Sequence, residues 1–495
     1  MGIRWEHYQA IRDRKSREIG PPPLRSDRRM ALMYPSPYRA GMSSLGYQWI
    51  WSNLRAEGIS AERCFLPEDV SEWRLSKTLP ITYESETPLS HYRLIAVSLA
   101  YELEWAGLIE LLELAGIPAL RRERGPQDPC ILLGGPLTFS NPLPAAPFVD
   151  AMLLGEADET AVSAVRDHFE CSSRETWLDA VEALPGAYIP ERHGNVLPTV
   201  AKASDALLPA RSAIISPDTE LANMFLLEGE RGCHRQCSFC VMRRSTNGGM
   251  RLVTPERILS FIPDHAPKVG LVGAAISDHP KLVPLLETLT KAGKGIGVSS
   301  LRADRVARKP EIAHLLAKSG ARTLTVASDA ASQALRRQIA KGTTEKHLLR
   351  CAEISKEAGL ELLKVYMMVG LPGETDADID ELIAFTTELS KAGRVALGIA
   401  PFVAKRMTPL DGTPFAGIKL VEHRLKRLKR GLQGKAIVRP TSARWAWVEY
   451  MLAQGGPEAG EAVLQAVHAG GRFSDYKRAL SAIDSSAARP WALQS

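Results

Sequence analysis

From residue 221 onward, short apolar runs alternate with stretches that carry helix-start signals, and no other feature constrains the fold as strongly. Strand-like runs lie near 222–229, 269–276, 295–300, 322–327, 361–369 and 394–402. Helices open at Thr254-Pro255, Thr344-Glu345 and Thr375-Asp376, each a hydroxyl cap followed by proline or an acid. Strands separated by helices pair in parallel, with the helices packed outside. Six such units in a row predict a closed or partly closed barrel over 221–415, with chemistry on the loops that follow the strands.

A second alternation precedes it. Runs at 30–35, 93–100, 130–136 and 149–156 read as strands, and Ser43 or Ser44 opens a helix that ends at Gly58. This pattern over 29–190 predicts a doubly wound parallel sheet, which binds ligands at the carboxyl ends of its strands. Residues 1–28 read as an N-terminal extension, the proline-bearing stretch 191–220 as a linker, and 416–495 as a small helical C-terminal region. A chain of 495 residues is too long for one core, so several domains are expected.

With 45% hydrophobic and 24% charged residues, the composition is that of a globular protein. No apolar run approaches the ~20 residues of a membrane span. The first twenty residues are charged throughout, unlike a signal peptide, and a cytoplasmic location is expected. The net charge of +6 is partly local, as in 423–435, where leucines at 425, 428 and 432 indicate a helix with a solvated basic face. No nucleic-acid partner is expected.

Cysteines 64, 130, 171 and 351 are isolated, the pattern of buried thiols in a reducing compartment. Cys233, Cys237 and Cys240 are clustered in "RGCHRQCSFC", on a loop at the carboxyl end of the first barrel strand. Arg231, Arg235, Arg243 and Arg244 surround them, and positive charge favours the ligating thiolate. A zinc ion with His234 as fourth ligand is conceivable, but a histidine adjacent to one ligand is poorly placed to complete a tetrahedron. An iron–sulfur cluster with three protein ligands leaves one iron open.

The C-x3-C-x2-C spacing with Phe239 before the last cysteine resembles the radical S-adenosylmethionine enzymes. That resemblance implies a partial (β/α)6 barrel, a 4Fe–4S cluster on Cys233, Cys237 and Cys240, and S-adenosylmethionine on the open iron. It also implies a 5′-deoxyadenosyl radical and an electron donor such as flavodoxin or ferredoxin. "VSSLRADRV" resembles the segment that holds the methionine carboxylate, making Ser299 and Arg302 candidates. Asp329 stands where the family often has an acid, and Gly370, Pro372 and Gly373 in "GLPGET" resemble the loop that passes the adenine. The family's Gly-Gly-Glu is replaced by Gly273-Ala274-Ala275, so Gly273 is kept as a contact while the carboxylate is missing.

Residues 29–190 resemble the cobalamin-binding domain fused ahead of many such enzymes. Tyr38 stands where cobalamin proteins often carry histidine, Ser98 lies in an S-x-L segment, and Gly134 and Gly135 would leave room for the nucleotide tail. "RPTSARWAWVEYMLAQG" resembles an uncharacterised subgroup with the same layout. Together these imply a cobalamin-dependent C-methyltransferase on a substrate the sequence does not name. The alternatives are a cobalamin-independent rearrangement, cyclisation or oxidation, and a non-enzymatic metal-binding scaffold.

Overall fold

The computed structural model describes residues 2–242 and 249–483. It divides into two compact units, Met224–Tyr450 and the remainder, Met1–Asn223 with Met451–Ser495.

In the first unit, β1 (Arg29–Tyr34), β2 (Ser60–Phe65), β3 (Leu94–Ser98), β4 (Cys130–Gly134), β5 (Ala151–Leu153) and β6 (Ala187–Tyr188) form one sheet in the order β2-β1-β3-β4-β5-β6. All pairs are parallel except β5 with β6. Strands this apolar are buried on both faces, as helix-covered parallel strands must be. Helix Leu45–Ala56 starts where the sequence places it, its first turn capped by the Ser44 hydroxyl, which accepts from the Tyr47 amide at 3.4 Å. The strand order reverses between β1 and β3, which makes a crevice at their carboxyl ends.

The stretch 191–220, read from sequence as a linker, is tied into this unit. Ala201 donates its amide to Leu154 at 2.7 Å, and Ile215 bridges Ile19. The helices Pro457–His468 and Phe473–Ser481 also belong here, so 416–495 is not one appendage.

The second unit carries all six expected strands as β7 (Met224–Glu228), β10 (Lys268–Val272), β11 (Gly295–Val298), β12 (Thr323–Ala327), β13 (Leu362–Val369) and β14 (Val395–Pro401). A short antiparallel pair, β8 (Glu230–Gly232) with β9 (Met250–Leu252), flanks the cysteine loop. A further parallel strand, β15 (Ile437–Pro440), follows helix Ile418–Gly431, in a region the sequence reads as helical. The strands form two parallel sheets, β7-β10-β11 and β12-β13-β14-β15, linked by a Leu301–Val326 bridge. Successive βα units thus lie side by side, as in the winding of an α/β barrel.

Candidate active site

The cysteine loop leaves β8 at Gly232 and is pinned from several sides. The Ser238 amide donates to Ile339 at 3.1 Å, and Leu410 donates to the Ser238 carbonyl at 3.3 Å. The Cys237 thiol faces the Ala340 carbonyl at 3.8 Å. Ile339 closes helix Gln333–Gln338, whose last residue, Gln338, donates to Pro372 at 3.1 Å. The loops after β7, β12 and β13 therefore meet through these contacts.

Cys237 is buried, and Cys233 and Cys240 are partly exposed. Burial pushes the Cys237 and Cys240 thiols up, and each is raised further by the charge of neighbouring thiols of the trio. Lys341 opposes this at both, and Arg302 at Cys237. The sequence assigned that role to the flanking arginines. In the structure Arg231 forks onto Glu228 (2.9 and 2.9 Å) and Arg235 onto Asp278, while Cys233 stays within electrostatic reach of Arg235. Arg243 and Arg244 lie outside the described residues.

Three thiols on one short loop within each other's electrostatic reach are the donor set a 4Fe–4S cluster with one open iron requires. Among the described residues no group of His, Cys, Asp or Glu is already closed up as a metal shell, so the fit is one of donor chemistry.

The S-adenosylmethionine candidates line neighbouring loops. Ser299 is exposed and donates its hydroxyl to Gly273 at 3.1 Å. A Cβ on Gly273 would collide with the Glu230 carboxylate, which accepts from the Ala275 amide at 2.6 Å. A carboxylate thus stands beside the Gly-Ala-Ala loop after all, contributed by β8. Burial raises Glu230 to about 7, and among the described residues its second oxygen has no hydrogen-bond partner.

Arg302 is 8% exposed and pairs with Asp304 at 2.9 Å. Its Nε lies 3.8 Å from Asp278, without a hydrogen-bond partner among the described residues. Asp278 also binds Arg235 and Arg305, an anchor the sequence reading missed. Asp329, in the left-handed region at φ 62°, pairs with Lys341. Gly370 (φ 93°) donates its amide to Glu374 at 2.8 Å and packs against Ala416, while a Cβ on Gly373 (φ 75°) would stand 3.9 Å from Gln338 Oε1.

In the first unit, Ser98 and Gly134 are register partners at the ends of β3 and β4. A Cβ on Gly134 would meet no atom nearer than 4.0 Å, whereas one on Gly135 would stand 2.5 Å from the Leu99 carbonyl oxygen. Gly134 therefore leaves space, and Gly135 is required by the backbone. Tyr38 does not join them. It is 1% exposed, and its hydroxyl donates to Glu18 at 2.6 Å and contacts Ser216 at 3.0 Å, beside the buried Arg63–Glu84 pair. The crevice is occupied instead by Glu104, which accepts from the Ser36 hydroxyl at 2.9 Å and the Ala100 amide at 2.8 Å. Burial raises its pKa.

The chain is similar to known proteins in both units. Residues 46–190 match the family model "Radical SAM proteins, N-terminal", and 229–386 match "Radical SAM superfamily". An uncharacterized protein of Methanocaldococcus jannaschii is 26% identical over 421 residues, covering 80% of this chain and 83% of that protein. A ribosomal protein uS12 methylthiotransferase of Saccharopolyspora erythraea is 29% identical over 247 residues, 44% of this chain and 48% of that one. Among solved structures, the cobalamin-dependent S-adenosylmethionine radical enzyme OxsB, with aqua-cobalamin and S-adenosylmethionine bound, shares the fold. The TM-score is 0.51 at 15% identity, over 82% of this chain and 56% of that one. The chain thus spans just over half the length of that enzyme.

Proposed function

Taking as premise that the chain belongs to the radical S-adenosylmethionine superfamily, we propose that it is a cobalamin-dependent radical enzyme that methylates carbon. The observation that carries this reading is one chain holding both the three-thiol loop and a parallel α/β sheet with Ser98 and Gly134 side by side at the carboxyl ends of β3 and β4. When bound, the cluster and S-adenosylmethionine supply one-electron cleavage of the sulfonium to a hydrogen-abstracting radical, and a corrin supplies a transferable methyl group.

The chain's own residues bind and orient. Cys233, Cys237 and Cys240 would hold the cluster. Arg302, Ser299 and the loop at Gly273 would receive the amino-acid end of S-adenosylmethionine, and Gly370–Gly373 its adenine. Ser98 and Gly134 would face the corrin. The reducing compartment these thiols need fits a cytoplasmic enzyme served by a flavodoxin- or ferredoxin-type donor. Among the described residues no helix is long and apolar enough to cross a membrane.

A second reading, radical chemistry without a corrin, is favoured by Tyr38, whose hydroxyl is already committed to Glu18 and Ser216. Methylthio transfer fits less well, because it would need a second three-cysteine set in the first unit, where Cys64, Cys130 and Cys171 stand far apart in sequence and the first two are buried in β2 and β4.

Anaerobic reconstitution followed by iron, sulfide and cobalt analysis tests the proposal. The expected result is four irons and four sulfides per chain, corrin absorption bands after addition of hydroxocobalamin, and both 5′-deoxyadenosine and S-adenosylhomocysteine as products. A cluster without corrin bands, and 5′-deoxyadenosine alone, would leave the second reading. One zinc and no labile sulfide would rule out both.

A further inference from the structure

The face of β12, β13 and β14 turned away from the helices is open, and its charge is unbalanced. On β13 the residues Leu363, Val365, Met367 and Val369 are buried, whereas Lys364, Tyr366 and Met368 alternate with them on the other side. Register places Lys364 beside Ala396 and Tyr366 beside Gly398 on β14, and Gly398 in turn beside Arg439 on β15. Paired residues of parallel strands share a face, so Lys364, Tyr366 and Arg439 stand on the same side.

Between them β14 presents only Ala396, Gly398 and Ala400, which makes a shallow trough, crossed at Gly398 by the Tyr366 ring and the Lys364 chain. Gly398 is needed there, because a Cβ would come within 2.9 Å of the Tyr366 ring. Tyr366 is 40% exposed, unusual for an aromatic residue in the middle of an interior strand. The Lys364 ammonium is held in place, donating to the Tyr366 hydroxyl at 2.9 Å and lying 4.5 Å from its ring centroid. Among the described residues neither Lys364 nor Arg439 has a carboxylate within ion-pair distance. Two cations and a phenol around an apolar floor complement an anion attached to apolar carbon.

We propose that this trough seats the substrate of the radical reaction by an anionic group, a carboxylate or a phosphate, with the attached carbon lying on Tyr366. The inference rests on the radical-enzyme reading and adds to it the substrate's chemical class.

The test is calorimetric titration of the reconstituted protein with sodium benzoate and, separately, inorganic phosphate. Wild type, K364M/R439M and the charge-keeping K364R/R439K are compared. Saturable binding in the wild type is expected, weakened at least roughly tenfold in the methionine pair and largely kept in the arginine–lysine pair. Binding of benzoate alone assigns a carboxylate, and of phosphate alone a phosphate ester. No saturable binding of either probe, or binding that the methionine pair leaves intact, overturns the proposal. If the methionine pair does not fold, the single variants K364Q and R439Q carry the comparison. Cluster content is measured on the same samples. A loaded cluster without anion binding defeats this inference alone, and an absent cluster defeats the radical reading.

Discussion

Arg235 and Asp278 face one another as a two-bond fork, Nε to Oδ2 at 2.9 Å and Nη2 to Oδ1 at 3.0 Å. The Asp278 side chain has no exposed surface and also binds Arg305, so one carboxylate fastens the cysteine loop to the loops after β10 and β11. Asp278→Asn keeps the shape but leaves these guanidinium groups without their charge partner. Removing one member of a buried ion pair costs about 3 kcal/mol, and calorimetry should show the unit's melting midpoint lowered by ~6–12 °C. Burial works to raise the Asp278 pKa, but the hydrogen bonds from Arg235 and Arg305 outweigh it and hold it below the ordinary value. A depressed carboxylate stabilises fully above its unfolded pKa and loses that contribution as pH falls through the folded one. The mutant's deficit should therefore shrink in strong acid.

Gly134 and Gly135 are adjacent and should behave oppositely. Gly135 has φ 105° and lies against the Leu99 backbone, so Gly135→Ala forces β3 and β4 apart and should cost on the order of 3 kcal/mol in urea unfolding. Gly134→Ala meets open space and should unfold like wild type. With a corrin seated over Gly134, Gly134→Leu should keep the fold and lose the corrin absorption bands. Full bands in that variant would move the corrin elsewhere.

The elements were legible because their signals are local. Apolar runs predict the six parallel strands β7 and β10–β14 of the second unit, and Thr254 and Thr344 cap helices where a hydroxyl before proline or acid predicts them. The partners that define the site were not, because tertiary contact sets them. Arg235 finds Asp278 from 43 residues away, and nothing in "ISDHP" marks it. Position in the loop motif suggested Tyr38 as a ligand, yet its hydroxyl meets Ser216, 178 residues further on. The arginines around the cysteines read as thiolate partners from spacing alone; each described one forks onto a carboxylate, and Arg235 keeps Cys233 within its electrostatic reach. β15 escaped notice because four half-exposed residues make no apolar run.

Glu230 predicts a stability that falls with rising pH. Its folded pKa is raised to about 7, chiefly by burial. The folded state therefore keeps a proton that the unfolded chain releases near 4.5. The stabilisation is complete below the unfolded value and is lost as pH rises through 7. Glu230→Gln mimics the protonated acid and keeps an acceptor for the Ala275 amide. In urea unfolding it should match wild type at pH 4 and exceed it at pH 8, by up to about 3 kcal/mol. A mutant weaker than wild type at pH 8 would mean that the fold stabilises the Glu230 carboxylate and that its pKa is not raised.

Lys341 is the remaining charge to account for near the thiols. Its side chain is 10% exposed, it pairs with Asp329, and its positive charge reaches Cys237 and Cys240. Reduction adds negative charge to a cluster held there, and a nearby cation favours the reduced form. Lys341→Met should therefore lower the midpoint potential, on the order of tens of millivolts, for an interaction of about 1 kcal/mol. Asp329→Asn removes the counter-charge and should shift it the other way, while Lys341→Arg should stay near wild type. Electron paramagnetic resonance during a redox titration, without S-adenosylmethionine, reads the potential directly. Equal potentials in Lys341→Met and wild type, at equal iron and sulfide content, would show that Lys341 only packs against Asp329 and leaves the cluster's electrostatics to other groups.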